Sequence, residues 1–214
     1  MSMRQQCILV LIASCVASVS AFAESPPPRS PFGAITWTAT KREKPSAGMT
    51  MGQFQVKFEE TTLDEVRGTT SVGRIAHQGD AGESIYWLCY TDVGANYVDH
   101  IWIIAHGEMG GSERRVTSVS AMRVTGGSAS SDCPALPKAM SPVMLGTGIW
   151  LGESSIDIDK KLGAPSHKKG SWQSYDYAGR SHSKCEGDDV MNWLVLHIEG
   201  GRMNQLHAGQ VTAC

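Results

Sequence analysis

The chain has 214 residues, with 19 Lys and Arg against 21 Asp and Glu and a formal net charge of −2 at pH 7. That balance lacks the basic excess that holds nucleic acid or an anionic membrane surface, so neither is an expected partner. Asp and Glu are not massed in tails, so nothing suggests an acidic decoy.

The first element is a leader. Residues 1–23 carry Arg4 as their only charge, then an apolar run, CILVLIASCVASVS, then Ala21-Phe22-Ala23. A basic start, an apolar stretch and an A-x-A site make a secretory signal peptide, expected to be cut after Ala23. The same stretch holds Ile12-Ala13-Ser14-Cys15, a loose lipobox, so the alternative is a chain lipid-anchored through Cys15. Elsewhere no run approaches the roughly 18 continuous apolar residues of a membrane helix. The expected location is the periplasm or the exterior.

Residues 24–48 read as a Pro-rich arm and linker. They open with ESPPPRSP, which can neither form a helix nor pair inside a sheet. A first α+β unit is expected over 49–134. Its helix starts at Thr62, which with Glu65 forms a capping box, while Leu63 and Val66 give the buried stripe. Glu59 and Glu60 just ahead of it suit the positive end of the helix dipole. Three strands follow, 84–91, 101–106 and 115–124. A second unit is expected over 143–214: a helix capped by Ser154 or Ser155 with Ile158 and Leu162 on one face, stopped by Gly163 and Pro165. Its strands are 171–178, 192–198 and 202–211, the last two joined by a glycine-driven hairpin at Glu199-Gly200-Gly201.

The two units share a pattern. IWIIAHGEMG at 101–110 lies over NWLVLHIEGG at 192–201, placing Trp102 on Trp193, His106 on His197 and Glu108 on Glu199. RVTSVSAMRV at 115–124 lies over RMNQLHAGQV at 202–211, and SIYWLCYT at 84–91 over SWQSYDYA at 171–178. Upstream, Thr62-Leu63 before DEV matches Ser155-Ile156 before DID, and four elements in the same order read as a tandem duplication with a period of about 90 residues. The fold class expected is α+β, two tandem repeats of a helix plus a three- or four-stranded antiparallel sheet.

His-x-Glu tempts a metal or acid/base assignment. Its recurrence where a strand enters its turn is explained by a shared structural position, and the Pro-Cys-x-x-Cys partner of a zinc deaminase is absent. The segment SHSKCEGDD, with His182, Cys185, Glu186, Asp188 and Asp189, lacks the four well-spaced ligands of a structural zinc site. No catalytic residue, metal ligand or cofactor is assigned.

Cys89, Cys133, Cys185 and Cys214 remain after the leader, an even number that reads as disulfides in an exported chain. One cysteine early and one past the last strand of each unit pairs Cys89 with Cys133 and Cys185 with Cys214.

The phrase LGESSIDIDKKLGAPSHKKGSWQSYDY resembles the signature of the SmpA/OmlA (BamE-like) outer-membrane assembly lipoproteins: LG, a short capped helix, LG-x-P, then an aromatic strand. The tandem arrangement with one disulfide per copy resembles that of β-lactamase inhibitor protein. The resemblance implies two sheets side by side forming a concave binding surface. The assembly lipoproteins have a single copy and a lipidated cysteine, and no contact residue of the inhibitor is matched.

Alternation divides the central strands. Ile101, Ile103 and Ala105, with Leu194, Leu196 and Ile198, should face the helices. Trp102, Ile104 and His106, with Trp193, Val195 and His197, should face away. Trp102, His106, Trp193 and His197, joined by Tyr175 and Tyr177, form the expected protein-binding face, because aromatic residues dominate interfaces. Trp102 and Trp193 suit packing between the repeats equally well. The expected function is a non-enzymatic protein-binding module of the inhibitor or immunity kind, whose partner is another envelope or secreted protein. An envelope assembly factor, or a cell-wall-directed hydrolase using His106 or His197, are the alternatives.

Overall fold

A computed structural model describes residues 25–30, 41–80, 83–107, 111–126, 132–180 and 189–213. The leader, Cys15, Glu108, Cys185, Cys214 and most of the SHSKCEGDD segment lie outside the described residues, and with them the expected Cys185–Cys214 bond.

The described chain is α+β, with two short α-helices, α1 (Leu63–Thr70) and α2 (Ser155–Leu162), and two antiparallel sheets. The larger sheet takes its strands in the order β3 (Ala76–Gln78), β4 (Ile85–Val93), β5 (Tyr97–His106), β6 (Ser118–Thr125), β11 (Arg202–Thr212), β10 (Asp189–Glu199), β9 (Trp172–Arg180), β8 (His167–Lys169). The smaller sheet is β2 (Phe54–Lys57), β1 (Gly48–Met51), β7 (Val143–Leu145). It draws strands from both expected units, and β6 pairs directly with β11.

The strand order mirrors about the β6–β11 seam, yet no clear tandem repeat results. The sequence shifts carry the Trp102–Ser120 pair onto Trp193 and His207, but Trp193 stands opposite Gly209. Register on the two sides therefore differs by two residues.

Alternation sets the layers. Ile101, Ile103, Leu194 and Leu196 are fully buried on one face of the large sheet, packed with Leu63 and Val66 of α1 and Ile158 of α2. Met49, Met51, Val143 and Leu145 of the small sheet join this core. Burying a side chain of this size stabilises by about 1.5–3 kcal/mol.

The helices begin as their caps dictate. Thr62 and Glu65 exchange hydrogen bonds in a full capping box, and the Ser154 hydroxyl accepts from the Asp157 amide. Those hydrogen bonds hold the Glu65 carboxyl below its ordinary pKa. Gly200 and Gly201 have φ of 57° and 76°, which lets a two-residue turn close the Glu199–Arg202 pair.

Two sequence expectations are corrected here. The linker is structural at its end: Ser46 is buried, its amide donates to Asn192 Oδ1, and Asn192 Nδ2 donates to the Ser46 carbonyl. Glu59 reaches away from α1 and accepts hydrogen bonds from the Thr212 amide, the Thr212 hydroxyl and Gln210. Its role is to pin the β1–β2 layer to β11, because capping at α1 is already satisfied by Glu65.

Candidate functional site: the aromatic sheet face

The second face of the large sheet carries the other half of each alternation. On β4 and β5, Trp87, Cys89, Trp102 and Ile104 cluster with Cys133. Cys89 and Cys133 form the disulfide expected from sequence, with Cα atoms 5.0 Å apart. The backbone beyond it lies along β4, where the Leu136 amide donates to the Thr91 carbonyl and the Thr91 amide to Pro134.

Trp102 is consequently a core residue of this face, only 4% exposed. One polar need remains, since its indole N–H must find an acceptor. The acceptor is the carbonyl of Ser25, 2.9 Å away in the Pro-rich arm. Ser25 is tied again through its hydroxyl to Asp132 Oδ2 at 3.3 Å. The arm thus lies across the face as an extended strap. Between it and the sheet is a cavity of about 260 Å³, with Pro27 and Pro28 on the arm side and Ile104, His106, Trp193 and His207 on the sheet side.

Trp193 is half-buried on β10 beside Gly209. A Cβ at Gly209 would stand 2.4 Å from the Trp193 ring, so glycine is what lets the indole lie flat over β11. Further along, the Trp172 and His197 rings are 4.6 Å apart. His197 Nδ1 bonds Asn204 Oδ1 at 2.6 Å, and His106 Nδ1 bonds the Thr117 hydroxyl at 2.7 Å. Burial pushes the His106 imidazole below its ordinary pKa.

Tyr175 and Tyr177 are not part of this face. Tyr175 stands opposite Leu194 and Tyr177 opposite Asn192, and directly opposed residues share a face, so both point to the helix side. Tyr175 is fully buried there, its hydroxyl donating to Gln173 at 3.1 Å, its ring under the Lys41 ammonium. Burial, with a contribution from Asp159, pushes its pKa up to about 12. Trp193 instead opposes Asp176, a carboxylate only 1% exposed. Burial raises the Asp176 pKa, against the opposing effects of the Ser174 hydroxyl and His167.

One pair escaped sequence reasoning. Ser120 Oγ and His207 Nδ1 are 2.9 Å apart under the arm. Both are buried, and burial depresses the His207 pKa to about 4. Part of the signal was present: the shift of 87 that aligns the last strands puts Ser120 over His207, and in the antiparallel register of β6 on β11 that one matched pair stands directly opposite. His207 Nε2 lies 3.1 Å from Gln205 Nε2. An amide N–H there fixes the imidazole proton on Nδ1, which then donates to Ser120.

Among the described residues no group of three or more His, Cys, Asp or Glu is placed to hold a metal ion, and no helix is long and apolar enough to cross a membrane. Comparison with protein-family models, with curated proteins and with solved structures finds no match.

Proposed function

We propose that this chain is an exported, non-enzymatic protein-binding module of the inhibitor or immunity kind, which meets a secreted or envelope partner with the face carrying Trp193, His106 and His197. The observation that carries this reading is the Trp102–Ser25 hydrogen bond, because the face already holds an extended backbone by an indole donor and aromatic walls. Aromatic side chains of this sort supply contact area at low entropic cost. The Cys89–Cys133 bond supports an oxidising compartment.

The hydrolase alternative draws on the Ser120–His207 pair. A serine nucleophile needs a histidine that accepts its proton, backed by a carboxylate on the other nitrogen. Here the imidazole donates to the serine, its other nitrogen meets an amide, and burial leaves it a weak base. The pair serves packing better than turnover.

The reading keeps the resemblance to β-lactamase inhibitor protein and the BamE-like lipoproteins as one of pattern, a capped helix followed by antiparallel strands. The mirrored strand order supports it, although register on the two sides differs by two residues.

The test is photo-cross-linking in the exporting cell. A benzophenone side chain at position 193 should trap a discrete partner, whereas one at Ile156, exposed on α2, should trap none. Cross-links from position 156 alone would move the binding surface to the helix side and defeat the proposal. Terminal sequencing of the same preparation should read Glu24-Ser25-Pro26, and lipid on Cys15 would instead support the assembly-factor alternative.

A further inference from the structure

We infer that the aromatic face is a receptor for proline-rich segments in the polyproline II form, and that SPPPRS at Ser25–Ser30 is the chain's own provisional occupant of that seat. The inference rests on the binding-module reading and names the chemistry of its partner.

The occupant's conformation follows from its sequence. Ser25, Pro26 and Pro27 each precede a proline, which disfavours the helical region, and the three prolines fix their own φ near −65°. The result is an extended, left-handed chain without internal hydrogen bonds, whose carbonyls stay available. A receptor for such a chain supplies N–H donors to the carbonyls and an apolar, partly aromatic floor to the rings. Trp102 supplies the donor, 2.9 Å from the Ser25 carbonyl. Ile104, His106 and Trp193 supply the floor beneath Pro27 and Pro28.

The fit is incomplete, and that separates a seat for others from a mere strap. A space of about 260 Å³ stays open between arm and sheet, while Pro26, Arg29 and Ser30 are exposed. A longer or better-shaped proline run fills that space and displaces the arm. The arm in turn lowers the apparent affinity for any partner in proportion to its own occupancy of the seat.

The experiment uses the full oxidised chain with ¹⁵N-labelled tryptophan, titrated with the capped peptide Ser-Pro-Pro-Pro-Arg-Ser and with a control bearing Ala for each Pro. Pro26→Ala, Pro27→Ala and Pro28→Ala combined loosen the arm. The Trp102 and Trp193 indole signals should then shift and saturate at a peptide concentration about tenfold lower than in the unaltered chain, as competition with a mostly bound arm requires. The Ala control should leave them still. Trp102→Phe added to the arm-loosened chain keeps the ring and removes the donor, and should weaken the peptide's effect on Trp193 several-fold. Equal response to both peptides, or none in a variant whose Trp102 signal shows the arm released, overturns the inference. A partner trapped at position 193 that has no proline-rich segment overturns it too and leaves the binding-module reading standing.

Discussion

Trp102 and Ser25, 77 residues apart, are joined by an indole-to-carbonyl hydrogen bond of 2.9 Å. The bond makes Trp102 and Trp193 different kinds of residue despite their matched positions in sequence. One is sealed beneath a disulfide and an arm, the other half-open beside the cavity.

Replacing the two should separate stability from recognition. Trp102→Ala empties a buried site and should cost about 3–5 kcal/mol. Trp193→Ala should cost clearly less while removing recognition. Denaturant unfolding under nonreducing conditions measures the first, and cross-linking from a second open-face position the second.

The Cys89–Cys133 bond closes a loop across 44 residues. Removing it by Cys89→Ala with Cys133→Ala should lower stability by about 4 kcal/mol through the freed unfolded chain. A lower urea midpoint together with a steeper slope, because the freed denatured chain exposes more surface, is the expected signature. An unchanged midpoint would contradict the placement of this bond in the core of the aromatic face.

His207 predicts an acid-sensitive fold. Its folded pKa is about 4, below the ordinary value near 6.5 of an unfolded histidine. Between those values the unfolded state binds the proton and the folded state does not, so stability falls as pH drops from about 6.5 to 4 and the effect levels off below. The full difference is roughly 3 kcal/mol. Unfolding measured at pH 7 and pH 4 should show that loss in the unaltered chain and much less of it in His207→Gln.

Asp99 gathers three donors on one carboxylate: Arg123 Nε at 2.6 Å, Arg123 Nη2 at 2.8 Å and the Trp150 indole at 3.1 Å. The Arg123 guanidinium also lies over the Tyr97 ring. Asp99 is 1% exposed, so Asp99→Ala leaves a largely buried cation without its partner and should cost about 3–5 kcal/mol. Thermal unfolding of this variant beside Asp99→Asn, which keeps an acceptor, measures the charge's share.

Long-range pairing limited what could be read from the chain. The alternation at Ile101–His106, the capping box at Thr62 and the Gly200-Gly201 hairpin are local signals, and each appears as expected; the Cys89–Cys133 bond, 44 residues apart, was legible from the placement of the cysteines about the strands. The small sheet does not announce itself: GMTM, FQVK and VML are only three or four residues long, too short for their alternation to mark a sheet, and β7 finds β1 across most of the first half of the fold. Tyr175 and Tyr177 entered the site because both are aromatic and share a face. Which face was decided only by their register against β10, and a one-residue slip exchanges the two sides of a strand. The arm was recognised as irregular chain, but composition does not say where an extended segment will lie.

The rims of the large sheet have a further bearing on how the molecule meets others. β3 and β8 are three-residue strands, AHQ and HKK, and past their ends the outer strands are met by Pro134–Leu136 on one side and by the Lys41 amide on the other. Short polar borders of this kind discourage edge-to-edge zippering of the large sheet into fibres. That leaves its broad faces as the surfaces on which other molecules land.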